Sequence, residues 1–324
     1  MLLRLVPEST DIKFLSARKV AFVLSAVLLV ASAVLFFSRG LNYGIDFRGG
    51  LNLYMQSESG PADITKIRSV IRGIVEGEPK VKEFGENTDV EIGIRRQSGG
   101  SEGQNEALKT VRAALAEVMP ELKFQSAEVI GPQVSGELKR DGMIAITIAV
   151  IAVLIYIWFR FEWQFGLGAV VALIHDVLLT IGFFTVTGLE FNLSIIAALL
   201  TIVGYSLNDT VVVYDRVREN VRKFRRKTME EVLDLSLNQT LSRTVMTSVT
   251  TLIALLALFF LGGAVIKGFT AAMIWGVVVG TYSSVFVASP MLLTFKLKRE
   301  AMLLDDDKHD PTVDKSKPTP LDHF

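Results

Sequence analysis

The chain has no cysteine in its 324 residues, which removes disulfides and thiolate metal sites from consideration. It has three histidines, and two of them, His309 and His323, stand isolated in a polar tail, so no metal or cofactor is expected. It also lacks a charge of predominant sign. Lys and Arg together number 34 and so do Asp and Glu, which points to neither nucleic acid nor an acidic substrate as partner. No Ser/His/Asp order, HExxH pair or GxxxxGK phosphate loop is present. The chain is therefore not expected to be an enzyme, and any energy it uses must come from a gradient or a partner.

What the sequence has in abundance is apolar residues: half the chain is hydrophobic and the mean hydropathy is +0.41, well above a soluble domain. Six segments are long enough to cross a bilayer: 20–37, 143–159, 165–186, 191–214, 244–261 and 268–293. Ala31, Ser32 and Ala33 in the first resemble a signal-peptidase site, but the apolar run continues through Phe37, so an uncleaved anchor is expected. Basic residues set the orientation. Arg18, Lys19, Arg160 and the run from Arg216 to Arg243 mark one side as cytoplasmic, whereas 187–190 carries no basic residue. Six spans then place both the N-terminus, 1–19, and the tail, 294–324, in the cytoplasm. Asp305–Phe324, polar and proline-containing, is expected to be disordered. The basic connector 215–243 contains Phe224–Leu237, where Val232, Leu233, Leu235 and Leu237 alternate with charge and predict a short amphipathic helix on the lipid surface.

Residues 38–142 must face outward, and they read as a small α+β domain. Leu51, Leu53 and Met55 alternate as in a strand, and Ile64, Ile67, Ile71, Ile74 and Val75 suit a helix begun near Pro61. Val81–Phe84 and Val90, Ile92, Ile94 give two more strands. Leu108, Val111, Leu115 and Val118 give a second helix stopped by Pro120, and Lys123–Ile130 a last strand. The order βαββαβ is that of a ferredoxin-like split βαβ unit.

Asp209, in GYSLNDT beside Asn208, is a carboxylate inside lipid-length apolar sequence. Such a charge costs roughly 2.5–3.5 kcal/mol at mid-bilayer, so it persists where it is used or paired. Arg243 opens the next span and lies within reach as a counter-ion. Arg243, Thr247, Thr250 and Thr251 form a polar stripe, which reads either as a hydrated path or as threonines bonding their own helix. His175 and Asp176 lie near mid-depth in the third span, as a proton relay or as a pair that fixes helix packing.

GIDFRGG (44–50), IHD (174–176), GYSLNDTVVVYDRVREN (204–220) and LSRTVMTSVTTL (241–252) resemble the SecD/SecF family of protein-export membrane proteins, within the resistance-nodulation-division superfamily. The likeness runs from Arg18 to about Lys298. It implies a membrane all-α six-helix bundle, half of a twelve-helix fold, with a small ferredoxin-like periplasmic domain. It further implies pairing with SecD, assistance to the SecYEG channel by the proton motive force after the ATP-driven SecA step, preprotein substrates, and YajC and YidC as additional partners. Asp209, Arg243 and Asn208 correspond to the family's proton pathway, with His175, Asp176 and Thr247 as secondary candidates. Gly44, Asp46, Arg48, Gly49 and Gly50 form a signature read as structural in preference to a substrate contact: the glycines permit sharp turns, and Asp46 and Arg48 are placed to pair at the membrane surface.

Two other classes fit less well. A small-molecule exporter half of the same superfamily also uses a buried carboxylate, but needs larger outward loops. A non-transporting scaffold would tolerate neutral isosteres at Asp209 and Arg243.

Overall fold

The computed structural model describes Pro7 and residues 10–295; the tail, with His309 and His323, lies outside the described residues. The membrane helices are α1 (Arg18–Arg39), α5 (Pro132–Arg160), α6 (Trp163–Thr187), α7 (Leu193–Lys223), α8 (Met229–Leu261) and α9 (Gly263–Ser283), the last continued by a π-helical turn (Ser284–Ala288) and α10 (Ser289–Thr294). Between α1 and α5 lie α2 (Ile45–Arg48), β1 (Gly50–Ser57), α3 (Ile64–Arg72), β2 (Lys80–Phe84), β3 (Glu86–Arg95), α4 (Gly100–Val118) and β4 (Leu122–Ile130).

Six helices are long and apolar enough to span, and they divide into two sets. Of the most apolar stretch, 56–61% is buried within the chain in α6, α7 and the helix that includes α9, but only 11–17% in α1, α5 and α8. The first set is the core, and the second exposes Val27, Ile151, Trp158 and Ile253 outward, as an apolar solvent allows. Small residues let the core helices approach closely. A Cβ on Gly276 of α9 would lie 2.3 Å from the Ile202 side chain of α7, and one on Gly182 of α6 would lie 2.1 Å from Ser32 Oγ of α1.

In the membrane helices three features depart from the sequence reading. The second membrane helix begins at Pro132 rather than 143, because it also carries the chain down from β4. The last span is interrupted by the π turn: Pro290 has no N–H to donate, Ser289 Oγ donates to the Ser284 carbonyl at 2.8 Å, and Tyr214 Oη donates to the Ala288 carbonyl at 3.1 Å. The expected amphipathic surface helix is instead the first turns of α8, opened by a Thr228/Glu231 capping box. Val232, Leu233 and Leu237 are buried in the protein core and do not face lipid.

The small domain has the ferredoxin-like sheet order β2-β3-β1-β4, with every neighbouring pair antiparallel. Alternation sends Leu51, Leu53, Met55, Val90, Ile92 and Ile94 to one face, where α3 and α4 cover them with Ile67, Ile71, Val111 and Leu115. Helix α3 starts at Ile64, where Asp63 Oδ1 accepts from Lys66 N at 2.9 Å. Val118, expected in this core, is exposed at the fraying end of α4, and Met119 is buried in its stead.

The signature at 44–50 fastens this domain to the bundle. Gly44 N donates to Phe191 O at 2.9 Å and Phe191 N to Asn42 O at 2.8 Å, so the exit of α1 pairs with the entry to α7. Asp46 does not pair with Arg48. Its Oδ2 accepts from Leu193 N at 2.6 Å and so caps α7 from 147 residues away, while Arg48 reaches the Leu41 carbonyl at 3.5 Å. Gly50, at φ +151°, starts β1 where a Cβ would strike the Ile94 carbonyl at 2.6 Å.

Glu91, only 6% exposed, lies on the sheet face away from α3 and α4. Burial pushes its carboxyl above the ordinary glutamate range, and Lys82 opposes the rise through a 3.1 Å ion pair. Two outcomes are expected in thermal unfolding of the detergent-solubilised chain. Asp46→Ala should cost about 0.5–2 kcal/mol through the lost α7 cap, with Asp46→Asn retaining most of it. Because the folded-state carboxyl of Glu91 is raised, its contribution to stability is complete below the unfolded pKa and lost as pH rises through the raised value. Glu91→Gln should therefore flatten the fall in Tm on leaving acid pH, and an unchanged profile would contradict this.

Candidate functional site

Asp209 lies 16 residues into α7, or about 24 Å from Leu193, near the middle of a helix about 46 Å long. It is 3% exposed, and its Oδ2 is buried without a hydrogen-bond partner. An unmet carboxylate oxygen in this setting is costly, so the site is either incomplete or poised to take a proton.

The sequence-indicated neighbours have a consistent disposition. Arg243 is exposed on α8; it is close enough to act on Asp209 through space, but the two do not form an ion pair with nitrogen and oxygen within 4.0 Å. Asn208 is also exposed, and with Ala197, Thr201 and Gly204 it forms the open face of α7, one residue every three or four. Asp209 thus sits just behind a surface that carries Arg243 and Asn208 outward. The polar stripe does not lead inward as a chain of free hydroxyls. Thr247 Oγ1 donates to the Arg243 carbonyl, and Thr250 Oγ1 donates to the carbonyls of Met246 at 2.8 Å and Thr247 at 3.0 Å.

His175 and Asp176 are brought into a separate arrangement. Asp176 is 1% exposed, and both of its oxygens are engaged: Oδ1 with His175 Nδ1 at 2.8 Å, Oδ2 accepting from Ser206 Oγ at 2.6 Å and Ser283 Oγ at 2.7 Å. One side chain of α6 thereby ties α7 and α9 together. His175 stacks on Tyr282, whose hydroxyl donates to the Ala21 carbonyl of α1 at 3.0 Å, which extends the network to a fourth helix. His175 Nε2 is buried without a partner.

Ser206, Ser283 and Tyr282 were not singled out from the sequence. Ser206 lies within GYSLNDT and three residues before Asp209, so the motif held a signal. Ser283 and Tyr282 lie in an ordinary apolar helix with none. Among the described residues no group of three or more His, Cys, Asp or Glu is arranged to hold a metal ion.

Residues 110–298 match the family model for the C-terminal part of protein export membrane protein SecD/SecF, and residues 34–60 match that for the SecD/SecF GG motif. The chain is 46% identical over 288 residues to protein translocase subunit SecF of Magnetococcus marinus, covering 88% of this chain and 92% of that protein. It is 44% identical over 322 residues to protein translocase subunit SecF of Rhodobacter capsulatus, covering 96% and 95%. Its fold superposes on the crystal structure of SecDF, a translocon-associated membrane protein from Thermus thermophilus, with TM-score 0.79 and 34% identity. That match covers 92% of this chain but 40% of the longer one. A second SecDF structure, in a super-membrane-facing form, gives TM-score 0.68.

The hydrogen bonds to Asp176 carry a quantitative expectation. Ser206→Ala or Ser283→Ala should each destabilise the helix core by roughly 0.6–1.7 kcal/mol, the range of interhelical hydrogen bonds in membranes. The double variant should show coupling, since both hydroxyls serve one oxygen. Denaturant unfolding in micelles measures both, and strict additivity would count against a shared acceptor.

Proposed function

The chain belongs to the SecD/SecF family of protein export membrane proteins, and from that premise we propose that it is an auxiliary subunit of the Sec preprotein translocase. It works with SecD, uses the proton motive force, and completes export through SecYEG after the ATP-driven SecA step. YajC and YidC are further partners in this reading. The bilayer is the bacterial inner membrane, with residues 1–19, 215–243 and 294–324 on the cytoplasmic side and the small domain outside.

The observation that carries the proposal is Asp209: buried at mid-helix, with one oxygen unmet, behind a face that displays Arg243 and Asn208. An arginine facing lipid would cost roughly 2.5–3.5 kcal/mol, so that face requires a cover. A partner subunit supplies one. Asp209 then alternates between protonated and ionised forms, Arg243 stabilises the anion, and water reaches it from each side in turn. One charge crossing the potential releases about 2.3 kcal/mol per 100 mV, so a few protons can move a small domain.

The route from proton to domain is α7 itself. Asp209 lies on the helix whose first N–H is held by Asp46, four residues before the small sheet begins at Gly50. The exporter alternative is disfavoured by the single small domain between α1 and α5, which leaves little material for a binding chamber.

In proteoliposomes containing the native partners, Asp209→Asn should abolish gradient-dependent completion of export while leaving the SecA-driven step intact. Arg243→Gln should do the same to a similar extent. Undiminished gradient dependence in Asp209→Asn, with complex assembly preserved, would remove the proton role and favour a scaffold.

A further inference from the structure

Where the small domain meets the bundle there is a cleft of about 640 Å³. One wall is the exit of α1 with Arg48 and the Gly188–Glu190 turn, and the other is the sheet face opposite α3 and α4. Its charge is lopsided. Arg48, Lys80, Lys82, Arg95 and Arg96 line it, against Glu91 and Glu190. Both carboxylates are spent on one ammonium, Lys82 Nζ, at 3.1 Å and 3.6 Å. Among the described residues Lys80 is held by the neutral Asn42 Oδ1 at 3.0 Å, and Arg48 by a carbonyl and the Tyr43 ring, neither of them an anion. Arg95 and Arg96 are exposed, and neither has an ion-pair partner among the described residues. The cleft therefore holds surplus positive charge with free guanidinium donors.

Its depth identifies the source of a matching anion. Tyr43 and the Gly188–Glu190 turn follow directly on the apolar runs of α1 and α6, so the cleft opens at the level of the lipid headgroups, a layer roughly 5–8 Å thick on each side of the hydrocarbon. Guanidinium forks suit phosphate oxygens, and tyrosine is enriched at the headgroup level of a bilayer.

We infer that this cleft binds the phosphate headgroup of an anionic phospholipid from the leaflet next to the small domain. The walls belong to both bodies, so a bound headgroup bridges domain and bundle beside the Lys82–Glu190 contact. The inference rests on the chain spanning a bilayer and is independent of whether Asp209 carries protons.

Native mass spectrometry of the full chain in micelles, titrated with phosphatidylglycerol or phosphatidylcholine, tests it. Wild type should retain phosphatidylglycerol in preference to phosphatidylcholine. Two lost charges in Arg95→Gln/Arg96→Gln should weaken that binding on the order of 30-fold. Lys80→Gln should weaken it less. The charge-matched Lys66→Gln/Lys109→Gln variant, altered on α3 and α4, should bind as wild type does. Equal losses in both double variants, or none in the arginine variant, would overturn the assignment. Displacement of the lipid by millimolar inorganic phosphate would show a free-anion site and overturn it too, as would tighter binding of polyglutamate than of phosphatidylglycerol.

Discussion

A charge withdrawn from water has to be met by the protein, and the core helices are arranged around that requirement. Asp176 meets it completely: a histidine on its own helix and serines from two others occupy both oxygens. The resulting cross-link fixes how α6, α7 and α9 sit against one another, where glycines already bring backbones close. Asp209 meets the requirement incompletely. Two carboxylates in adjacent helices thus differ, one with both oxygens hydrogen-bonded and one with an oxygen unmet, and α7 runs through both by way of Ser206 and Asp209.

The same helix is held at its two ends. Asp46 caps its first turn from the signature segment, and at the far end Arg160 pairs with Asp215 at 3.1 Å while Asn220 donates to Ser236 and Gln239 of α8. Both attachments bear on one continuous helix about 46 Å long that also carries Asp209. The 44–50 segment is where the bundle joins the sheet. Gly49, at φ +71°, and Gly50 turn the chain there from α2 directly into β1.

Much of this was legible in the residue order, for identifiable reasons. A bilayer imposes a length of apolar sequence, so the six spanning helices were visible. The strand period of two and the helix period near 3.6 are strict, so spacing alone assigns Leu51, Leu53, Ile67, Ile71, Val90 and Ile92 to one core. Errors came where two environments share one pattern. Val232, Leu233 and Leu237 spaced among charges suit a lipid surface and a protein core equally, and only neighbouring helices distinguish them. Asp46 and Arg48, two residues apart with opposite charge, suggested a pair, yet the free N–H donors of a helix N-terminus hold a carboxylate better than an exposed arginine does.

By itself the sequence determined the number of membrane helices and the βαββαβ order, because apolar run length and hydrophobic period are local properties of backbone sterics and solvent, whereas the helix ends, as at Pro132 and Met229, were set by the fold. It also singled out Asp209 and Asp176 as costly charges. Only the tertiary structure decided how they differ. Ser283 lies 107 residues from Asp176 and Leu193 lies 147 from Asp46, and no local rule brings such groups to within 3 Å. Helix packing did so, since a buried polar atom can be met only by groups the fold brings beside it, as it does for Asp176 and not for Asp209 Oδ2.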